Sequence, residues 1–240
     1  MLRIAVAVCV LVTLAGPSFA QDISIDLGAD NSQLAGRSVQ LLLLITVLSI
    51  VPGLAVMVTC FPFIVTVLSI LRQAIGLQQS PPNMLIVSLA LFLTWFVMDP
   101  VLTEAWQNGL APLSAGQLDL PQAFEATMAP FRVFMAARVD PDTFLAMQAL
   151  RPDATGLPAD ASLSVLVPSF LLSEIQRAFE IGFLIFLPFL IIDLVVAAVL
   201  MSMGMMMVPP AIVSLPFKLA FFVVADGWAL ISGALVRSYF

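Results

Sequence analysis

The chain has 240 residues, 61% of them hydrophobic and only 10% charged, with a mean hydropathy of +1.10. Soluble domains sit near roughly 45–50% apolar and about 25% charged, so this composition belongs to a membrane protein with several spans. A formal net charge of -6 excludes the basic face that nucleic acid demands, and the lack of any histidine removes the commonest metal ligand and general base together.

Residues Met1–Ala20 carry one basic residue, Arg3, then the apolar stretch Ile4–Leu14, a Gly16-Pro17 break and Ser18-Phe19-Ala20. That is the pattern of a secretory signal peptide, with cleavage expected between Ala20 and Gln21. As a first transmembrane helix the stretch is too short, since spanning takes about 20 apolar residues. Cys9 falls within it, so the mature chain keeps Cys60 alone and no intrachain disulfide is expected.

Residues 21–40 form a short polar arm with Asp22, Asp26 and Asp30. Leu41–Leu71 is then apolar for about 31 residues, roughly 46 Å as one helix. Pro52-Gly53 and Pro62 interrupt it. Splitting at Pro52 leaves a piece too short to span, so a kinked helix is expected rather than a hairpin. A broken helix at membrane depth needs protein neighbours for its freed carbonyls. Arg72–Asn83 reads as a turn, and Met84–Met98 as the next span, closing at Asp99-Pro100 with Trp95 and Trp106 at its far end.

Residues 103–180 hold most of the acids and read as a small helical domain outside the cytoplasm. Asp119 and Asp140, each followed by proline in the first turn, mark two helix starts. Glu174 and Arg177, three apart, share a helix face near where the chain enters the membrane and can pair there. Residues 181–240 read as a helical hairpin, with Phe183–Pro210 and Ala211–Val224 as its arms. Its tip crowds Met201, Met203, Met205, Met206 and Met207 into one turn. The expected fold is therefore an all-α membrane protein of four long apolar helices with a helical periplasmic insertion. In this topology the Arg72 and methionine turns face the cytoplasm.

Asp193, Lys218 and Asp226 sit inside apolar runs, where ionisable groups flag packing, assembly or function. Counting outward from the turn puts Asp193 and Lys218 at similar depth, so they either pair or Lys218 snorkels toward water. Asp226 lies too far in depth from Asp193 for a shared-proton dyad. With no phosphate-binding glycine loop, no nucleophile–base pairing and no metal cluster, no catalysis, cofactor or metal is expected. The methionines are either flexible core filler or a soft seal that reshapes around what touches it. A seal of that kind needs several copies, because one tip cannot enclose a hole.

The blocks LLRQAIG, LALFLTWFVMDPV, SEIQRAFEIGFLIFLPFLIIDLVVAAVL, MGMMMVPP and LPFKLAFFVVADGW closely resemble the flagellar type III export-gate family FliP, from about Leu41 to Ser238. The resemblance implies several copies assembling with FliQ and FliR, alongside other export-apparatus membrane proteins. The gate would lie at the flagellar basal body in the bacterial inner membrane, and unfolded axial proteins would pass through it. It implies that Met205, Met206 and Met207 form a gasket around the pore, and that the helices sit largely above the bilayer plane. The alternatives are the homologous gate subunit of a virulence-type secretion system and an ion-coupled transporter. The transporter reading lacks the internal repeats usual in that class.

Overall fold

A computed structural model describes residues 31–77, 81–151, 156–205 and 207–240. Ala20, Gln21 and Met206 lie outside these residues. Every regular element among the described residues is helical. Residues 31–49 and residues from Ile50 onward fall in separate units.

The first helix of the described residues, α1 (Asn31–Met57), carries an apolar stretch long enough to cross a membrane at Val39–Met57. Thr46 and Ser49 donate their hydroxyls to the carbonyls of Leu42 and Ile45, at 2.7 and 2.8 Å. Such back-bonding satisfies the hydroxyl within the helix itself. The single kinked helix expected over Leu41–Leu71 is instead two helices, parted at residues 58–60, after which α2 (Phe61–Ile75) begins. Pro62 explains the position. It occupies the first turn of α2, where a missing N–H is harmless, whereas inside a continuous helix its ring would meet the preceding carbonyls.

α2 is the centre of the second unit, and Phe63, Ile64, Val67, Leu68, Leu71 and Ala74 along it are completely buried. It ends at Gly76, whose φ of 89° takes the left-handed conformation that glycine adopts without strain. The Arg72 side chain donates to Asn83 Oδ1, tying the end of α2 to the start of α3 (Asn83–Ala105). The expected end of α3 at Asp99-Pro100 is overrun: the helix passes through Pro100 and continues by the π-helical turn Trp106–Leu110 into α4 (Ala111–Ser114).

α5 (Leu120–Arg138) and α6 (Pro141–Ala149) start at the two acids read as caps. Asp119 accepts from the Gln122 N–H at 3.1 Å, and Asp140 from the Thr143 N–H and hydroxyl, both at 2.9 Å. The Asp140 N–H donates to Ser173 Oγ at 2.9 Å, which seats α6 on α7 (Leu163–Ser202). That helix runs unbroken for 40 residues, roughly 60 Å at the usual rise per residue. It packs most closely against α2, and Gly182 makes the approach possible: a Cβ there would lie 2.4 Å from Ile70 Cδ1. Most of its outward face is apolar and uncovered, with only 11% of its most apolar window buried.

α8 (Pro210–Val224) and α9 (Gly227–Arg237) meet at 61° across Ala225-Asp226. Among the described residues three helical stretches are long and apolar enough to cross a membrane, and the bent α8–α9 pair makes a fourth if it acts as one span. A leucine at Gly182 should therefore destabilise the fold by about 1–3 kcal/mol through overpacking. Thermal unfolding in detergent checks this, and Ile70→Ala in the same chain should recover part of the loss. A pH effect follows from Asp140, whose carboxyl the Thr143 N–H and then its hydroxyl hold below the ordinary 3.8. A lowered folded-state value contributes stability above the ordinary value, lost as pH falls through the folded one. The stability difference between the parent chain and Asp140→Ala should thus be constant above about pH 5 and shrink toward pH 2.

Candidate functional site

Lys218 is only 5% exposed, and a buried ammonium is tolerable only when paired and hydrogen-bonded. Its Nζ donates to Asp193 Oδ2 at 2.6 Å and to the Ala74 carbonyl at 3.1 Å. Ser214, one turn before Lys218 on α8, donates its hydroxyl to Asp193 Oδ1 at 2.5 Å. The ammonium is therefore turned inward rather than snorkelling. Ala74 lies in the last turn of α2, where carbonyls lack partners within the helix and positive charge is favoured. One side chain thus ties together α2, α7 and α8.

Asp226 belongs to a different feature. It adopts φ 47° and ψ 48°, a left-handed conformation costly for a residue with a side chain, and its carboxylate makes no capping bond. Behind it Gly227 packs so tightly that a Cβ would lie 2.2 Å from Phe222 Cε2, and Trp228 meets the Phe222 ring edge-to-face at 5.4 Å. Asp226 marks a fixed elbow and is not a member of the Asp193–Lys218 network.

The expected partnership of Glu174 with Arg177 is corrected by the structure. Glu174 is fully buried and pairs with Arg138, whose Nε lies 3.1 Å from Oε1. The Tyr239 hydroxyl donates to the other carboxylate oxygen. Arg177 lies on the same side of the helix, but Arg138 and Tyr239 take both carboxylate oxygens. A carboxylate with no access to water needs donors that come into the core with it, and these arrive from distant parts of the sequence. Arg138 also donates to the Ser238 carbonyl at 2.8 Å and lies over the Tyr239 ring at 4.0 Å. Burial, and then the negative charge of Glu174, push the Tyr239 phenol well above its ordinary value, so it remains a hydrogen-bond donor. Sequence reasoning misses Arg138, Tyr239 and Ser214. One signal points to the second of these: the chain has a single tyrosine, one residue from its end.

The methionine turn follows Ser202, with Gly204 at φ 73° allowing the reversal. Met203, Met205 and Met207 are 66%, 38% and 98% exposed. Behind the turn an apolar cavity of about 590 Å³ opens between α7 and α8, walled by Val195, Val199, Met203, Met205 and Phe217 among others. The tip is thus raised and open, while the hairpin behind it is pinned at Asp193–Lys218.

Replacing Lys218 with methionine should lower unfolding stability by about 3 kcal/mol, the low end for a broken buried pair because Asp193 is half-exposed. Adding Asp193→Leu should recover most of it. Chemical denaturation in detergent reads both, and a double variant no better than the single one would show that the pair is not the source of the effect.

The FliP family profile matches residues 44–235. The chain is similar to the flagellar biosynthetic protein FliP of Caulobacter vibrioides, with 50% identity over 238 residues covering 98% of this chain and 88% of that one. The protein of the same name from Agrobacterium fabrum is 46% identical over 246 residues, with 100% of both chains covered. That of Bacillus subtilis is 46% identical over 203 residues, covering 84% of this chain and 92% of its own. The matched stretch contains Arg138, Glu174, Asp193, Ser214 and Lys218, and the breadth of these matches makes the assignment plain: the chain belongs to the FliP family.

Proposed function

We propose that this chain is a core subunit of a flagellar protein export gate. In this reading several copies assemble with FliQ and FliR, beside other export-apparatus membrane proteins, in the inner membrane at the flagellar basal body. A leader cleaved between Ala20 and Gln21 would place the mature amino end outside the cytoplasm. Membership of the FliP family supports the reading, as do relatives named as flagellar biosynthetic proteins, a name that favours the flagellar gate over its virulence counterpart. The observation that carries the mechanism is an exposed methionine tip on a hairpin pinned at its neck.

The physical logic starts from the tip. Methionine is unbranched and polarizable, so it fills irregular gaps without a fixed shape. Tips from several copies, each contributing Met205, Met206 and Met207, would close a central opening by apolar contact. A constriction lined in this way sheds water and so blocks ions. An extended polypeptide arriving from the cytoplasm would displace soft side chains that then mould around it. The chain itself performs no chemistry in this scheme. The uncovered apolar face of α7 is where neighbouring copies, FliQ, FliR or lipid would sit.

The transporter alternative gains little from the buried pair. Asp193 accepts from both Lys218 and Ser214, and Lys218 is shared with a backbone carbonyl that cannot titrate. That arrangement serves as a tie between helices.

Replacing Met205, Met206 and Met207 together with alanine should raise the ion conductance of the purified complex in planar bilayers, while its mass by native mass spectrometry stays that of a multi-copy particle. Unchanged conductance in an intact particle would remove the gasket mechanism. A parent particle holding a single copy would remove the gate reading as a whole.

A further inference from the structure

The methionine turn carries a chemistry that packing alone does not use. Met203 and Met205 stand at the mouth of the cavity between α7 and α8, each partly open to solvent. Met98 and Met135, by contrast, are buried at 1% and 0%, and the thiol of Cys60 is buried as well. Exposure decides which sulfurs an oxidant in solution can reach, so the turn is vulnerable where the core is not.

The surroundings decide what oxidation does. Apart from the two methionines, the cavity of about 590 Å³ is walled by valine, leucine, isoleucine and phenylalanine side chains, Val195, Val199 and Phe217 among them. None of these carries a hydrogen-bond donor. Nearby backbone donors are already committed: the N–H groups of Met203, Gly204 and Met205 donate to the carbonyls of Val199, Met201 and Leu200 at 3.1, 3.0 and 3.0 Å. A thioether asks for no donor and is at home against such walls. A sulfoxide oxygen is a strong acceptor, and an acceptor buried without a partner carries its full desolvation cost.

We infer that Met203 and Met205 form a peroxide-sensitive switch, in which oxidation of their thioethers to sulfoxides drives the turn out of its apolar cavity. The oxidant is a hydroperoxide, hydrogen peroxide in the simplest case. One peroxide oxygen is transferred to sulfur and the O–O bond breaks; the other oxygen leaves as water, carrying both protons. Sulfur loses the two electrons that the peroxide gains. Reductases specific for each sulfoxide epimer reverse the step. The consequence for transport rests on the export-gate reading proposed above: polar tips would wet the constriction that apolar ones keep dry, and ions would leak.

The test uses the purified membrane particle treated with hydrogen peroxide. Peptide mass spectrometry should find one added oxygen at Met203 and at Met205 and none at Met98 or Met135. Hydrogen exchange across residues 203–208 should quicken about ten-fold and return to the starting rate after treatment with both methionine sulfoxide reductases. The double variant Met203→Leu, Met205→Leu should keep its untreated rate under peroxide. Met84→Leu, which removes an exposed thioether at the start of α3, should respond as the parent does. Equal quickening in the parent and the double leucine variant would overturn the proposal, as would sulfoxide at both positions with no faster exchange. Conductance in planar bilayers separates the switch from the gate reading beneath it. A particle that leaks with alanine at Met205–Met207 yet stays tight after full oxidation would keep the gasket and overturn the switch. A particle tight in both states, with the faster exchange present, would support the switch and remove the gasket.

Discussion

A lysine ammonium at 5% exposure in an apolar bundle must be met by acceptors, and everything around the hairpin follows from how Lys218 meets them. The Asp193 carboxylate supplies the opposite charge and the Ala74 carbonyl supplies the end of a helix. Those two contacts fix the depth of α8 against α7 and its position over the end of α2. A slip of one residue along either helix would turn one partner away by roughly 100°, leaving an uncompensated charge. Buried pairs of this kind add little net stability over an apolar replacement, and their best-attested use is to specify register. Here the register decides where the methionine turn stands.

A second polar tie works at the other end of the same unit. Glu174, completely buried on α7, draws in Arg138 from the end of α5 and Tyr239 from the end of the chain. The ring of Tyr239 stacks on Phe134 at 6.0 Å and meets Phe63 edge-to-face at 5.6 Å, so the chain terminus is held by packing as well as by hydrogen bonds. With α9 anchored there and α8 pinned at Lys218, Met203, Met205, Met207 and Val208 of the intervening turn stay exposed. Segments poor in buried contacts are those that open most easily. Movement confined to such a tip is what a seal requires, since a firm frame keeps the opening in place while its soft lining yields.

Much of this is legible in the amino-acid sequence. The two acid-capped helix starts, the apolar hairpin and the methionine turn are written locally, in proline, glycine and capping residues within a few positions of each other. Asp193 and Lys218 can be set opposite one another by counting from the turn, because an antiparallel hairpin converts sequence distance into depth. The expected Glu174–Arg177 pair fails for the opposite reason. Spacing on one helix shows which groups can meet, but which partner takes the carboxylate is set by what α5 and the chain end bring against α7. Arg138 and Tyr239 lie 36 and 65 residues from Glu174, beyond any local rule. The break falls at residues 58–60 rather than at Pro52 because proline ends a helix only where the chain has somewhere better to place it, and Pro62 already sits at an acceptable start.

The central claim is that soft tips from separate copies meet on a common axis. The most direct measurement is disulfide cross-linking of Met207→Cys in native membranes, a position 98% exposed in the turn. Cys60, buried at 0% exposure, does not compete for oxidant. The account predicts cross-linked pairs of this chain under mild oxidation, lost once the particle is dissolved into single subunits. A cysteine at 207 that never links to another copy, yet reacts with a lipid-soluble thiol reagent in the intact particle, would place the tips in the bilayer and contradict it.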